Sequence, residues 1–250
     1  VAMTGDGVND ILALKDADCS VAMASGSEAA AQSAQVVLLD SDFSGMPQVV
    51  LEGRRTVNNI ERSASLFLVK NIFSLLLAFL SVAFAVQYPL HPTQVTLLSA
   101  FTIGIPGFFL ALEPNHSIIK GKFIKNVLMR SLPAGITDML AVVGIVIAGR
   151  NLALAEEEVS TAATLVLIVV GLMVVAGASI PFNRFRAAIT GACVAGIVFC
   201  CVFLHELFVL IPLSMPAVIM LICAAASATA VFWTLRFVFM HITDRRRHNG

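Results

Sequence analysis

Charge is what this sequence has least of. Of its 250 residues, 13% are Asp, Glu, Lys or Arg, about half the share found in water-soluble domains. With 58% hydrophobic residues and a mean hydropathy of +0.90, this argues against a soluble enzyme and for a chain that crosses a membrane repeatedly. Acidic and basic residues balance at 16 each, so no basic excess points to nucleic acid. Metal-binding cysteine spacing is also missing. Cys19, Cys193, Cys200, Cys201 and Cys223 form no CxxC or Cys/His pattern. Four of the five lie in apolar runs, where they read as small core hydrophobes, and no disulfide framework is implied. An initiator Met and a charged leader are absent too. The chain opens with Val1-Ala2-Met3, inside a strand, and reads as a piece of something longer without a signal peptide.

Residues 1–50 alternate short apolar runs with polar turns. Val1–Met3 is expected to finish a strand, Thr4–Asp10 to form a loop and Ile11–Asp16 a short helix. Ser20–Met23 and Val36–Leu39 read as further strands, with Glu28–Ala34 a helix between them. Strands alternating with helices indicate an α/β domain with a parallel sheet, here its last part. We assign residues 1–44 to that domain. Residues 45–64 carry Glu52, Arg54, Arg55, Asn58, Asn59, Glu61 and Arg62, and read as a polar stalk helix running unbroken into an apolar one.

Residues 65–239 hold six apolar stretches, at about 65–86, 95–112, 132–148, 161–180, 187–208 and 215–239. Each is near the roughly 20 residues that cross a bilayer. The fold class expected is therefore a multi-pass α-helical membrane protein of six transmembrane helices, preceded by the end of an α/β domain. Basic residues fix its orientation. Lys120, Lys122, Lys125, Arg130, Arg184, Arg186, Arg236, Arg245, Arg246 and Arg247 fall on the side of the α/β segment, whereas the opposite loops carry Arg150 alone. Both termini, including a basic tail at 240–250, are expected to be cytoplasmic.

The run Thr4-Gly5-Asp6-Gly7-Val8-Asn9-Asp10 sets two carboxylates around glycines at the end of a strand. Glycines permit a tight loop, carboxylates suit Mg²⁺, and an amide such as Asn9 can donate to a phosphoryl oxygen. This is equipment for Mg²⁺-assisted phosphoryl transfer. A bare Gly-Asp-Gly reads equally well as an ordinary turn.

The run TGDGVND, followed by Ala13-Leu14-Lys15-Asp16-Ala17-Asp18, resembles the hinge segment of P-type cation-transporting ATPases, a branch of the haloacid-dehalogenase superfamily. Val21-Ala22-Met23, Gly26-Ser27, Val37-Leu38-Leu39-Asp40, Glu52-Gly53-Arg54-Arg55 and Asn58-Asn59-Ile60 extend the likeness to residue 72. Six later spans continue it as topology. Ile11-Leu12 and Ala24 depart from the usual pattern without touching the metal ligands. The resemblance implies an ATP-driven cation pump cycling through a phosphorylated Asp outside this chain, with Mg²⁺ as cofactor and ATP as substrate. Asp6 would be the Mg²⁺ ligand and Asn9 would touch the phosphoryl group. Asp10 would support the loop or share the metal, and Thr4 and Gly5 would shape it. Without that Asp, this chain alone is not expected to hydrolyse ATP.

The transported ion would bind at Asn71, Ser74, Ser99 and Thr102, with Ser74 and Ile103 standing where many members have acids. Lys70 is either a built-in counter-ion or a lysine snorkelling to the interface. Calcium is favoured as cargo, the missing acids notwithstanding, in a bacterial plasma membrane. Partners would be the bilayer and the rest of the same polypeptide. A membrane-anchored phosphatase without transport, and a non-catalytic scaffold, are the alternatives. The polar spans weigh against the phosphatase, and intact Asp6 and Asp10 against the scaffold.

Overall fold

Parallel strands need both faces covered, so they appear as short apolar runs separated by helices. In the computed structural model, β1 (Ala2–Gly5) pairs with β2 (Cys19–Met23) and β2 with β3 (Val36–Leu38), all parallel, in the order β1-β2-β3. The register sets Ala2 opposite Cys19 and Val21 opposite Val36. Central strand β2 buries Ser20, Val21 and Ala22. The connecting helices α1 (Ile11–Asp16) and α2 (Glu28–Ser33) add Leu14 and Ala30 to the same core. Ser20 is tolerated there because its Oγ accepts a hydrogen bond from Gln35 N at 3.0 Å. Ser27 caps α2 by accepting from Ala30 N at 3.2 Å. Strand β1 runs through Gly5 rather than stopping at Met3, and Val8–Asp10 forms a 3₁₀ turn inside the expected loop.

The structure describes residues 1–83, 88–119 and 121–248, with side chains through residue 241. Residues 84–86 of the first expected span, Lys120, and the side chains of Arg245, Arg246 and Arg247 lie outside the described residues. The chain divides into two compact units, Val1–Arg55 and Thr56–Gly250.

Beyond the sheet the chain is helical. Helix α3 covers Met46–Ala83. Helix α4 (Pro92–Ser99) passes through a π-helical turn, Ala100–Gly104, into α5 (Ile105–Leu112). Then come α6 (Phe123–Asn151), α7 (Glu156–Ala178), α8 (Arg184–Phe203) and α9 (Met215–His248). Among the described residues, six helical stretches are long and apolar enough to cross a membrane. Helix α7 is the hub: Ala162, Ala163, Val166, Leu167 and Val170 are fully buried, and it packs against α4, the π turn, α6, α8 and α9. At one end Gln94, itself buried, ties the bundle, donating to Val209 O at 3.0 Å and accepting from Ser160 Oγ at 2.7 Å.

Four helix boundaries differ from expectation by five residues or more. Helix α7 starts at Glu156 rather than residue 161, and α9 runs on to His248 rather than ending at 239. Helix α6 starts at Phe123 rather than residue 132, which places Lys125 and Arg130 on a helix instead of in a loop. Lys, Arg, Met and Leu are good helix formers, so the polar lead-in extends the helix beyond its apolar part. Helix α8 stops at Phe203 rather than residue 208, and His205 and Glu206 fall in the turn that follows.

The π turn follows from Pro106, which has no N–H to continue the ladder. The Ile105 N–H reaches back to Ala100 O instead, a wide turn of the kind that recurs at functional sites. Small residues let other helices approach it. A Cβ on Gly171 of α7 would lie 2.6 Å from Thr102 Cγ2 in the turn; elsewhere, one on Gly135 of α6 would lie 2.6 Å from Ile72 Cγ2 of α3. Gly191 of α8, by contrast, faces open space.

Candidate functional site

The loop after β1 is shaped by contacts that the loop itself does not contain. Asp6 follows the last residue of β1, at the carboxyl end of the sheet, where open α/β sheets bind ligands. Its backbone O accepts from Ser27 N at 2.7 Å, and a Cβ on Gly26 would sit 2.5 Å from that same oxygen. Only glycine fits at 26 with the loop in this position. Asp10 closes the other side. Its Oδ2 accepts from Gly7 N at 3.1 Å, while its N–H donates to Gly7 O at 3.2 Å. A Cβ on Gly5 would lie 2.6 Å from Asp10 Cβ.

The two aspartates are therefore differently employed. Asp6 is exposed and its carboxylate takes no hydrogen bond among the described residues, whereas Asp10 is half-buried and holds the turn. Asn9 is exposed on the same loop, and Thr4 is exposed at the end of β1 that leads into it. No group of three or more His, Cys, Asp or Glu gathers for a metal among the described residues. Mg²⁺ does not require one, since it keeps several waters and takes one or two carboxylates with substrate phosphates. The free Asp6 carboxylate suits such an ion.

The intramembrane candidates separate. Lys70, half-buried on α3, and Thr102, buried in the π turn, line one cavity of about 20 Å³. Ser99 and Thr102 donate to carbonyls one turn back, Val95 O at 2.6 Å and Leu98 O at 2.7 Å. Ser74 is half-buried and Asn71 exposed, and neither lines that cavity.

Sequence reading passed over a third group. The α5 C-terminus leaves orphan carbonyls, and α3 satisfies them. Asn58 Nδ2 donates to Asn115 O and Ser117 O, Asn59 Nδ2 to Ala111 O at 2.7 Å and Glu113 O, and Arg62 to Leu110 O. Beside them, Glu113 Oε2 accepts from Arg186 Nε at 2.6 Å and lies 3.6 Å from Arg62, and Glu113 Oε1 accepts from Asn183 Nδ2. Opposite charges at the ends of two successive spans were the available signal. Burial works to raise the Glu113 carboxyl, but hydrogen bonds from Arg186 and Asn183, with the charges of Arg186 and Arg62, outweigh it and hold it below the usual carboxylate range. A depressed native pKa means stability that is present above the unfolded value, about 4.3 for Glu, and lost as pH falls through the native one. Acid unfolding of the helical unit should therefore show a carboxylate step below about pH 4 that Glu113→Gln removes.

Residues 1–50 match the family model of haloacid dehalogenase-like hydrolases. The calcium-transporting ATPase CtpE of Mycolicibacterium smegmatis is 41% identical over 86% of this chain and 29% of its own length. The protein of the same name in Mycobacterium bovis is 43% identical over 76% of this chain and 26% of its length. A plasma membrane-type calcium-transporting ATPase of rice, Oryza sativa, is 38% identical over 53% of this chain and 14% of its length. The chain thus spans less than a third of the relatives it matches. A haloacid-dehalogenase-like segment followed by six described helices of spanning length makes this chain similar to the corresponding part of cation-transporting ATPases.

Proposed function

We propose that this chain is the hinge-and-membrane portion of an ATP-driven pump that moves a small inorganic cation. The observation that carries the reading is Asp6, an unengaged carboxylate held at the sheet's carboxyl end by Ser27, Gly26 and the Asp10 turn, in the same chain as six spanning-length helices. Residues 1–44 would belong to the phosphorylation domain, 45–64 to a stalk, 65–239 to the membrane domain and 240–250 to a cytoplasmic tail. The remaining helices and the nucleotide-binding and actuator parts would come from the rest of the polypeptide. The membrane would be a bacterial plasma membrane, with both ends of this chain cytoplasmic.

Asp6, helped by Asp10, would hold Mg²⁺, which supplies charge neutralisation on the phosphoryl oxygens when bound. Asn9 would orient the phosphoryl group from the exposed rim of the loop. Asp10 keeps the Gly7 turn closed, and Thr4 and Gly5 set where that turn begins. Nothing else is asked of these residues, because phosphoryl transfer is mostly positioning and electrostatics.

Calcium is the proposed cargo, because the mycobacterial relatives carry that name. The full-length protein in sealed vesicles should take up radioactive calcium on addition of ATP and Mg²⁺, with ATP hydrolysis stimulated several-fold by calcium over other cations. Stimulation by another cation alone would move the cargo assignment while keeping the pump. Hydrolysis without uptake of any cation would favour the phosphatase reading.

A further inference from the structure

Asp138 is the one acidic residue along the wall of the 20 Å³ cavity, and nothing in the transport reading uses it. It lies midway along α6, is 5% exposed, and its Oδ1 has no hydrogen-bond partner among the described residues. Around it stand Lys70 and Val69 of α3, Leu98 of α4, Thr102 and Ile103 of the π turn, and Leu167, Gly171 and Val174 of α7. Among the described residues Lys70 is the only other titratable group in this lining, and neither it nor Asp138 enters an ion pair there. Helix α9 also packs on α6 but contributes no side chain to the cavity; its Arg236, like Arg130 of α6, lines a separate cavity of about 670 Å³.

We propose that Asp138 is an intramembrane proton-binding site, its carboxyl and one water filling this cavity, with Lys70 as the charge that replaces the proton when it leaves. The room is right for one water, which needs about 10–15 Å³. It is wrong for a hydrated or multiply coordinated divalent cation, which takes six to eight oxygens. The side-chain oxygens here are one carboxylate and a Thr102 hydroxyl already donating to Leu98 O, and an ammonium shares the space. A carboxylate shut away from water and partners costs several kcal/mol, and a proton removes that cost with a single bond to oxygen. The bound state is Asp138 as the neutral acid. On release, the proton passes to the cavity water and the electron pair stays on the carboxylate, which the flexible Lys70 ammonium is then free to approach. Gly171 keeps the cavity's far wall close, since a Cβ there would lie 2.6 Å from Thr102 Cγ2. The proposal does not depend on the cargo or on ATP use.

Infrared difference spectra of the full-length protein in lipid, wild type against Asp138→Asn, test it. At neutral pH the wild type should show the carbonyl stretch of one protonated carboxylic acid that Asp138→Asn lacks, and alkaline titration should remove it reversibly. Lys70→Met should keep the band and move its loss to higher pH by about one unit, a tenfold gain in proton affinity, since the competing ammonium is gone. Absence of the band in wild type at neutral pH overturns the proposal without requiring any variant to fold. So does persistence of the band in Asp138→Asn, or its displacement by calcium or sodium at fixed pH. An unmoved titration in Lys70→Met overturns the role given to Lys70. Because the readout is spectroscopic, loss of ATP-driven uptake leaves it intact, and its failure leaves the pump reading intact.

Discussion

Asp6→Ala is expected to slow phosphoenzyme formation by the full-length protein about a thousandfold, while leaving the fold of the first fifty residues as it is. The size follows from the role. A metal ligand at a phosphoryl site stabilises developing charge by several kcal/mol, and about 4 kcal/mol is three factors of ten in rate. The selectivity follows from the geometry. The Asp6 carboxylate is exposed and takes no hydrogen bond among the described residues; only its backbone O is engaged, by Ser27 N. Removing the carboxylate therefore breaks no contact. Asp10 predicts the opposite balance, since its carboxylate closes the turn on Gly7 N. Asp10→Ala should loosen the loop by about 1 kcal/mol, and Asp10→Asn, which keeps an accepting oxygen, should recover most of that. Phosphorylation from labelled ATP over a Mg²⁺ series, with limited proteolysis as the fold control, separates the two. If Asp6→Ala formed phosphoenzyme within about twofold of wild type at every Mg²⁺ level, the metal role would be wrong.

What could be read from sequence here is what local chemistry decides. The apolar runs at β2 and β3 and the six long apolar stretches needed only their own composition, and the loop needed only Thr4 to Asp10. What holds that loop was not legible, because Gly26 and Ser27 reach Asp6 from twenty residues away, through a fold that places the turn after β2 beside the turn after β1. Pro106 was visible in span two, but the register of the wide turn, Ala100–Gly104, depends on the packing of Gly171 and Thr102. Asp138 was visible as an acid in an apolar span. Whether it faces lipid or the bundle is a matter of helix rotation, which periodicity cannot supply in a helix apolar nearly all round. The Glu113 cluster joins residues 73 positions apart, and only the bundle's assembly makes them neighbours.

That cluster supports the largest stability effect expected in the helical unit. The side chains of Glu113, Arg62 and Arg186 are only 10–11% exposed. Glu113→Ala leaves two guanidinium groups in a largely dry place without their counter-charge, and breaking a buried pair from one side costs about 3–5 kcal/mol. A second acid on the same end of the bundle provides the comparison. Glu61 is equally buried, but its partner Arg130 is 62% exposed, so water can take Arg130 back when Glu61 is removed. Exposed pairs contribute about 0–1 kcal/mol. Glu61 also accepts from Asn126 Nδ2 at 3.1 Å, and losing that bond adds about 1 kcal/mol. The expected order of unfolding midpoints in detergent is wild type, then Glu61→Ala, then Glu113→Ala by a wide margin. Arg186→Met combined with Glu113→Leu should restore much of the loss, because replacing a buried pair by apolar side chains removes the orphaned charge along with its partner. Arg62 remains in that double variant and keeps its hydrogen bond to Leu110 O, so recovery should be partial. Equal effects of Glu61→Ala and Glu113→Ala would mean that water reaches Arg186 and Arg62, and that the Asn58 and Asn59 bonds to the 111–117 carbonyls carry this end of the bundle by themselves.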